Sequence, residues 1–477
     1  MNAFALRAAA LAAVLFVAAC ASPGPSRPQA PLLDAPAVGL QPDAATALSV
    51  DPAWWRGFND AQLDTLVDRA VAEQPNLQAA QARIARAVAA AEAAGARAQP
   101  SVSGSFDATR QRFSANGIYP PPLGGGTFTV GTLQAGLQWE LDFFGRHRAE
   151  LAAALGSERA ARADADAARV LLAAQVTRAY VGLARLQAQR EVARQTLAQR
   201  ESLLGLVRQR VQNGLDTTVE LRQSEGGLPE ARLQIEQLDE QIALARHQLA
   251  ALTAQPPQAL QSLDARLGEL KPLALPGVLG ADLLGRRADI AAARERVEAA
   301  VQDVKAARAQ FYPDVNLTAF IGFNAIGLDR LIEAGSRQYG VGPAIRLPLF
   351  DAGRLRAQLH GRQAELDAAV LAYNNALLEA VREAADALAT LQSLQAQRRE
   401  QAAAQDSAEA AYRLAVQRYG AGLSSQLTVL SAEGPLLAQR RLAAELQARS
   451  LEAQVALLRA LGGGWQPQPV SQSVAAR

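Results

Sequence analysis

Several things are scarce in this chain of 477 residues, and each scarcity closes off a class of protein. One cysteine, Cys20, permits no intramolecular disulfide. The three histidines, His147, His247 and His360, fall on separate helical stretches without metal-ligand spacing, and read as exposed helix residues. Aromatic residues make up only 5%, few for an enzyme with a large compact core. Net charge is +2, from 48 basic and 46 acidic residues, which argues against a nucleic-acid partner held by bulk charge. Beyond the N-terminal region no apolar run reaches roughly 18 residues, so a membrane role would have to use strands rather than a helix. Gly124-Gly125-Gly126 lacks the Lys and Ser/Thr of a phosphate loop and reads as a flexible loop tip. Catalytic constellations are missing too, so the chain reads as a non-enzyme that needs no cofactor.

What is present is a long repeat. Leu183-Ala184-Arg185-Leu186-Gln187-Ala188-Gln189-Arg190 returns as Leu391-Gln392-Ser393-Leu394-Gln395-Ala396-Gln397-Arg398, an offset of 391 − 183 = 208 residues. The same offset pairs Gly145-Arg146 with Gly353-Arg354, Arg210 with Arg418, Gly214-Leu215 with Gly422-Leu423, and Glu225 with Glu433. One unbroken register over that span needs two copies of one long element, a duplicated structural unit.

The N-terminus carries an address. Arg7 precedes the apolar run 8–19, the length of a signal h-region, and Val17-Ala18-Ala19-Cys20 resembles a bacterial lipobox, where the signal is cut before a cysteine that becomes lipidated. Ala21 follows in place of the Asp that would favour inner-membrane retention. The organisation read from the chain is a signal peptide over 1–19 and a Pro/Ala/Ser-rich lipid-anchored tether over 20–50. Repeat 1 then covers 51–270, repeat 2 covers 271–465, and 466–477 is an unstructured tail.

Four short segments alternate with period two. Val102, Gly104, Phe106 and Ala108 form one; Leu133, Ala135, Leu137, Trp139 and Leu141 the second; Val315, Leu317, Ala319, Ile321 and Phe323 the third; Tyr339, Val341, Pro343, Ile345 and Leu347 the fourth. Strands of roughly nine to eleven residues with one apolar and one polar face suit a half-buried sheet or a tilted membrane span. In the second case Leu137, Trp139, Leu317 and Ile321 face lipid, Gln138, Glu140 and Asn316 face a watery lumen, and 109–130 and 324–338 are extracellular loops. Helical sequence runs over 60–97, broken at Pro75, and again from Gly145 to Asn213 without proline, ~100 Å of helix. Val176, Leu183, Leu197, Leu204 and Val211 hold one heptad position, interrupted by Arg190. Ala179, Leu186, Ala193 and Val207 hold the next, interrupted by Arg200. A turn at 213–218 sends the chain back as helix to about 254, and 420–425 does the same in the second half. Four strands cannot close a barrel, and open edges are not tolerated in lipid, so several chains must pool them; three would give about twelve strands.

These features together resemble the outer-membrane factor family, the TolC-like efflux and secretion ducts, and within it the lipoprotein branch that works with resistance-nodulation-division pumps. The carriers are Trp54-Trp55, Phe58 and Asp60-Ala61-Gln62-Leu63; Arg287-Ala288-Asp289-Ile290 with Arg294; Tyr312-Pro313; Leu349-Phe350-Asp351-Ala352-Gly353-Arg354; and Arg418-Tyr419-Gly420-Ala421-Gly422-Leu423. The resemblance implies a mainly α fold with a small β part, assembled as a homotrimer. A twelve-stranded outer-membrane barrel would continue into a periplasmic coiled-coil tunnel. It implies an exit duct for drugs or other toxic small molecules, with a periplasmic adaptor protein docking on the tips Gly214, Leu215, Gly422 and Leu423, and an inner-membrane pump behind it. A duct for type I protein secretion is the alternative. A lipid-anchored periplasmic scaffold would account for the helices and Cys20 but not for the strands. Relatives often gate the tunnel with acidic rings beyond the second tip; here those positions are Thr428 and Ser431, both uncharged. Glu220, beside the first tip, is the candidate for an acidic ring, and Arg418 and Tyr419 are expected to hydrogen-bond with the second.

Overall fold

The computed structural model describes residues 30–33, 50–273 and 286–466. Cys20, the signal segment, most of the tether and the tail beyond 466 lie outside them. The chain divides into two compact units, and each draws on both halves of the repeat.

The first unit holds the strands: β1 (Ser101–Arg112), β2 (Thr127–Leu141), β3 (Asp314–Ile326) and β4 (Arg337–Arg346), antiparallel in the order β1-β2-β3-β4. Period two becomes two chemically distinct faces because register aligns like with like across the sheet. Val102 lies opposite Leu137, Leu137 opposite Ala319, and Ala319 opposite Val341. The adjacent row on the other face runs Ser101, Gln138, Thr318, Gly342. Polar side chains pair across that face: Gln338 Nε2 donates to Gln134 Oε1 at 3.2 Å and Asn324 Nδ2 to Thr132 Oγ1 at 2.9 Å. Phe320 is a large apolar residue on that face, as are Phe128, Val130 and Ile326 near its far end, and its ring occupies the space over Gly340, where a Cβ would come within 2.7 Å of Phe320 Cε1.

Three expectations need correcting in this unit. β1 runs on to Arg112 and β2 begins at Thr127, so the hairpin loop shrinks to 113–126. β3 likewise reaches Ile326, while β4 stops at Arg346, short of Leu347. Thr109, Arg110, Gln111 and Arg112 carry no alternation signal; the ladder from Ser101–Gln138 to Arg112–Thr127 is continued by main-chain pairing, which is indifferent to side chains. His147 is the third: it is buried, with Nε2 3.0 Å from Glu140 and Nδ1 3.6 Å from Glu150. The link 142–145 between strand and helix is short enough to fold the first helical turn back beside the end of β2.

Four helices carry chain through the second unit: α1 (Ala61–Glu73), α3 (Arg146–Gln212, in this unit from Arg162), α4 (Thr218–Leu252) and α7 (Gln426–Ala460). Parts of α2 (Pro75–Ala96), α5 (Ala288–Ala309) and α6 (Arg354–Gly420) join them, the remainder belonging to the strand unit. Asp60 starts α1 as its N-cap, accepting from Gln62 N and Leu63 N, and also accepts the Tyr180 hydroxyl at 2.7 Å. Burial and the Asp60 carboxylate together push that phenol's pKa well up. Trp54, Trp55 and Phe58 form a short 3₁₀ helix packed into the same core as Val176, Leu183 and Leu249. The heptad residues Val176, Leu183, Leu204 and Val207 are buried as their spacing requires. Arg190 is tolerated in the seam because it meets Asp239 of α4 at 2.8 Å.

Candidate functional site

The two hairpin tips of the helical unit are the places where sequence chemistry concentrates. α3 stops at Gln212 because Gly214 takes φ +70°, which lets Gly214 N–H reach Val211 O at 3.0 Å and Leu215 N–H reach Arg210 O at 2.8 Å. Those two bonds satisfy the last orphan carbonyls of the helix in a Schellman turn. α4 then starts on Thr217, whose hydroxyl accepts from Val219 N while Glu220 accepts from Thr217 N at 2.9 Å, a reciprocal capping box. α6 ends in the same turn, with Gly422 at φ +75° and Leu423 N–H on Arg418 O at 2.8 Å. α7 starts on Ser425, which makes no side-chain cap; instead Gln426 Nε2 donates to Ser224 Oγ of α4 at 2.5 Å.

One polar cluster joins the tips. Arg210 donates from Nε and Nη2 to the Asp216 carboxylate at 2.9 and 3.2 Å, and from Nη1 to Tyr419 O at 3.0 Å. Its guanidinium lies 4.5 Å over the Tyr419 ring, and the Tyr419 hydroxyl donates to Asp216 Oδ2. Arg210 and Asp216 retain only 13% and 11% of their side-chain exposure, and Tyr419 is fully buried among Leu203, Val207, Ala415 and Val429. The Arg210 guanidinium, and then the Tyr419 hydroxyl, hold Asp216 below the usual carboxylate range against a desolvation that opposes them. Burial first, then the adjacent carboxylate, raises Tyr419 above the usual phenol range, so its hydroxyl stays a donor at neutral pH.

Against the residues expected from sequence, the placements are mixed. Leu215 and Leu423 are strongly exposed at the tips, joined by Val219 and Leu427, which the 208-residue offset also pairs (219 + 208 = 427). Glu220 meets Thr217, and that hydroxyl, followed by main-chain N–H groups, lowers its pKa. Within the single chain Thr428 and Ser431 make no hydrogen bond to Arg418 or Tyr419: Ser431 Oγ donates to Thr428 O within α7, Arg418 is exposed, and Tyr419 turns to Asp216. A carboxylate beside the ring is the stronger acceptor. Arg210 and Asp216 are what sequence reasoning left out of the site; their spacing of six across a glycine turn was the available signal.

The family model described as outer membrane efflux protein matches residues 66–255 and 279–463. The putative multidrug resistance outer membrane protein MdtQ of Escherichia coli K12 is 34% identical over 470 residues, covering 95% of this chain and 96% of that one. The fusaric acid resistance protein FusA of Burkholderia cepacia is 38% identical over 362 residues, covering 74% and 68%. Among solved structures, the outer membrane protein VceC of Vibrio cholerae superposes with a TM-score of 0.82 at 37% identity, covering 87% of this chain and 100% of the other.

Proposed function

The chain belongs to the outer membrane efflux protein family, and from that premise we propose how its parts serve an outer-membrane efflux channel. The sheet carries the argument. Its outer strands β1 and β4 leave unpaired backbone edges, which lipid does not tolerate, while its apolar face exposes Val102, Ile321, Tyr339 and Val341. Three copies pooling four strands each close a barrel of about twelve, with that face to lipid and the Gln134, Gln138 and Thr318 face to the lumen. Phe144 stacked on Tyr312, with exposed Phe143 and Phe350, supplies aromatic rings for the membrane boundary, of which Tyr312 carries the polar end. Lipidated Cys20 is a second anchor.

The exposed pairs Leu215/Val219 and Leu423/Leu427 at the tips are docking knobs for a periplasmic adaptor, which couples the homotrimer to an inner-membrane pump. Cargo is small toxic molecules, the class that the names of MdtQ and FusA carry. The Arg210–Asp216–Tyr419 cluster is the resting latch between the hairpins. Glu220, Arg418, Thr428 and Ser431 stand on exposed or half-exposed helix surface, where like residues from three copies meet around the bore and set its ion preference. Purified trimer in a planar bilayer tests the reading. The wild type is expected to show a mostly closed channel, Tyr419→Phe more frequent openings, and Glu220→Gln a weaker cation preference. A protein that passes no current, or a monomer in detergent and in lipid, refutes the duct.

A further inference from the structure

Helix-breaking residues stand inside both returning helices, which stay continuous, at nearly the same distance from the tips, and a single arginine reaches both places. α4 contains Gly226-Gly227 and Pro229; α7 contains Gly434-Pro435. Proline in a helix interior brings no N–H, so the carbonyls four residues earlier, of Glu225 and Ser431, lose their intrahelical donors. Glycine beside it has the weakest helical preference after proline, and sharp bends gather at such places. The two sites share Glu225-Gly226 and Glu433-Gly434 at the repeat offset (226 + 208 = 434), but not their prolines. The offset sets Pro229 against Leu437 and Pro435 against Gly227 (229 + 208 = 437; 435 − 208 = 227).

Arg200 of α3 lies between them. Its Nη1 donates to Gly227 O at 2.8 Å, while Nε and Nη2 donate to the Glu433 carboxylate at 3.1 and 2.9 Å. Glu433 immediately precedes Gly434-Pro435, and its side chain is only 5% exposed. A carboxylate that buried depends on its partner, and a planar fork can meet the carboxylate from two nitrogens while a third reaches the carbonyl; an ammonium has three donors on one atom and lacks that fixed spread. Glu230, largely exposed at 3.6 Å, adds little. Arg200 also breaks the heptad seam in one half only, since its counterpart is Ala408 (200 + 208 = 408).

We infer that Arg200 is the clamp of a paired hinge. It ties the Gly227 break of α4 and the Glu433 break of α7 to α3, and its release lets the tip segments 218–226 and 426–433 swing about the Gly/Pro positions. This rests on the reading of the chain as a gated duct and adds a device separate from the tip latch: the latch holds the tips to each other, the clamp stiffens the helices behind them.

The test is hydrogen exchange and bilayer recording on the full-length protein in lipid nanodiscs and planar membranes. Arg200→Lys keeps the charge and loses the fork. It is expected to speed exchange about tenfold or more at 224–232 and 431–439 while 176–190 and 242–252 keep their rates, and to make openings more frequent at unchanged single-channel conductance. Gly434→Ala, where an added Cβ meets nothing within 4 Å, and Pro435→Ala are expected to do the reverse, also in the Arg200→Lys background. Unchanged exchange in Arg200→Lys, or an equal rise along all three helices, makes Arg200 a packing residue and overturns the hinge. A wild type and variants that all pass no current would sink the duct reading, and the exchange pattern would still decide the clamp.

Discussion

At the first tip Gly214 reverses the chain at φ +70° and Leu215 reaches Arg210 O at 2.8 Å; at the second, Gly422 does so at φ +75° and Leu423 reaches Arg418 O at 2.8 Å. The side chains on that shared backbone differ. Arg210 is half-buried against Asp216, while its counterpart Arg418 is exposed and the counterpart of Asp216 is Ser424 (216 + 208 = 424). Thr217 and Glu220 cap the first returning helix; Ser425 and Thr428, in the matching positions, do not form that box. The first tip therefore holds itself, and the second is held from outside by Arg210, Asp216 and Ser224. A duplicated backbone with unequal side chains makes the first hairpin the post to which the second is tied.

Removing the post has the largest expected effect. Asp216→Ala leaves the Arg210 guanidinium half-desolvated without its counter-ion and the Tyr419 hydroxyl without its acceptor. A loss of about 2 kcal/mol at the tips is expected, read as faster hydrogen exchange across 412–430 and a leaky channel, with the sheet unaffected. Equal exchange at both tips in the variant and wild type would break the asymmetry. Tyr419→Phe keeps the ring under Arg210 and loses only the hydroxyl bond, so a smaller shift of about 1.5 kcal/mol is expected at the second tip alone.

The caps sharpen the comparison. Thr217→Ala is expected to cost about 1 kcal/mol of helix stability, and Ser425→Ala only a few tenths, because Ser425 makes no cap bond. Urea titration of the two variants side by side reads the difference, and equal losses would mean that the tips are not capped unequally. Acid is the mildest probe. Because Asp216 has a pKa depressed below that of a free aspartate, about 3.9, its contribution is complete above that value and fades as pH falls through the lower folded one. Tip protection is expected to stay level from neutral pH to about 5 and to fall only below about 4. A loss already at pH 6 would point to a different titrating group.

Much of this was legible in the chain. The break at Pro75, the long helices and both tip glycines are local properties, since period, propensity and φ > 0 are set within a few residues. Strand ends were less so: 109–112 carries no apolar alternation, and its extension comes from pairing with Thr127 and its neighbours. The exposed knobs Leu215 and Leu423 could be named from the turns, whereas the burial of His147 could not, because it depends on where Glu140 of the preceding strand finishes.

Sequence alone determined which elements exist and their order, because each is written in the spacing of neighbouring residues, and it showed the duplication through identities repeated 208 residues apart. It could not separate Arg210 from Arg418, which hold the same place in two copies of one pattern, nor show that Arg200, an interruption in a heptad, is satisfied. Those outcomes were decided by residues 203 and 233 positions apart, Asp216 with Tyr419 and Arg200 with Glu433, arriving within hydrogen-bonding range. Hydrogen bonds and ion pairs act over about 3 Å, and only the packed helices bring such distant groups that close.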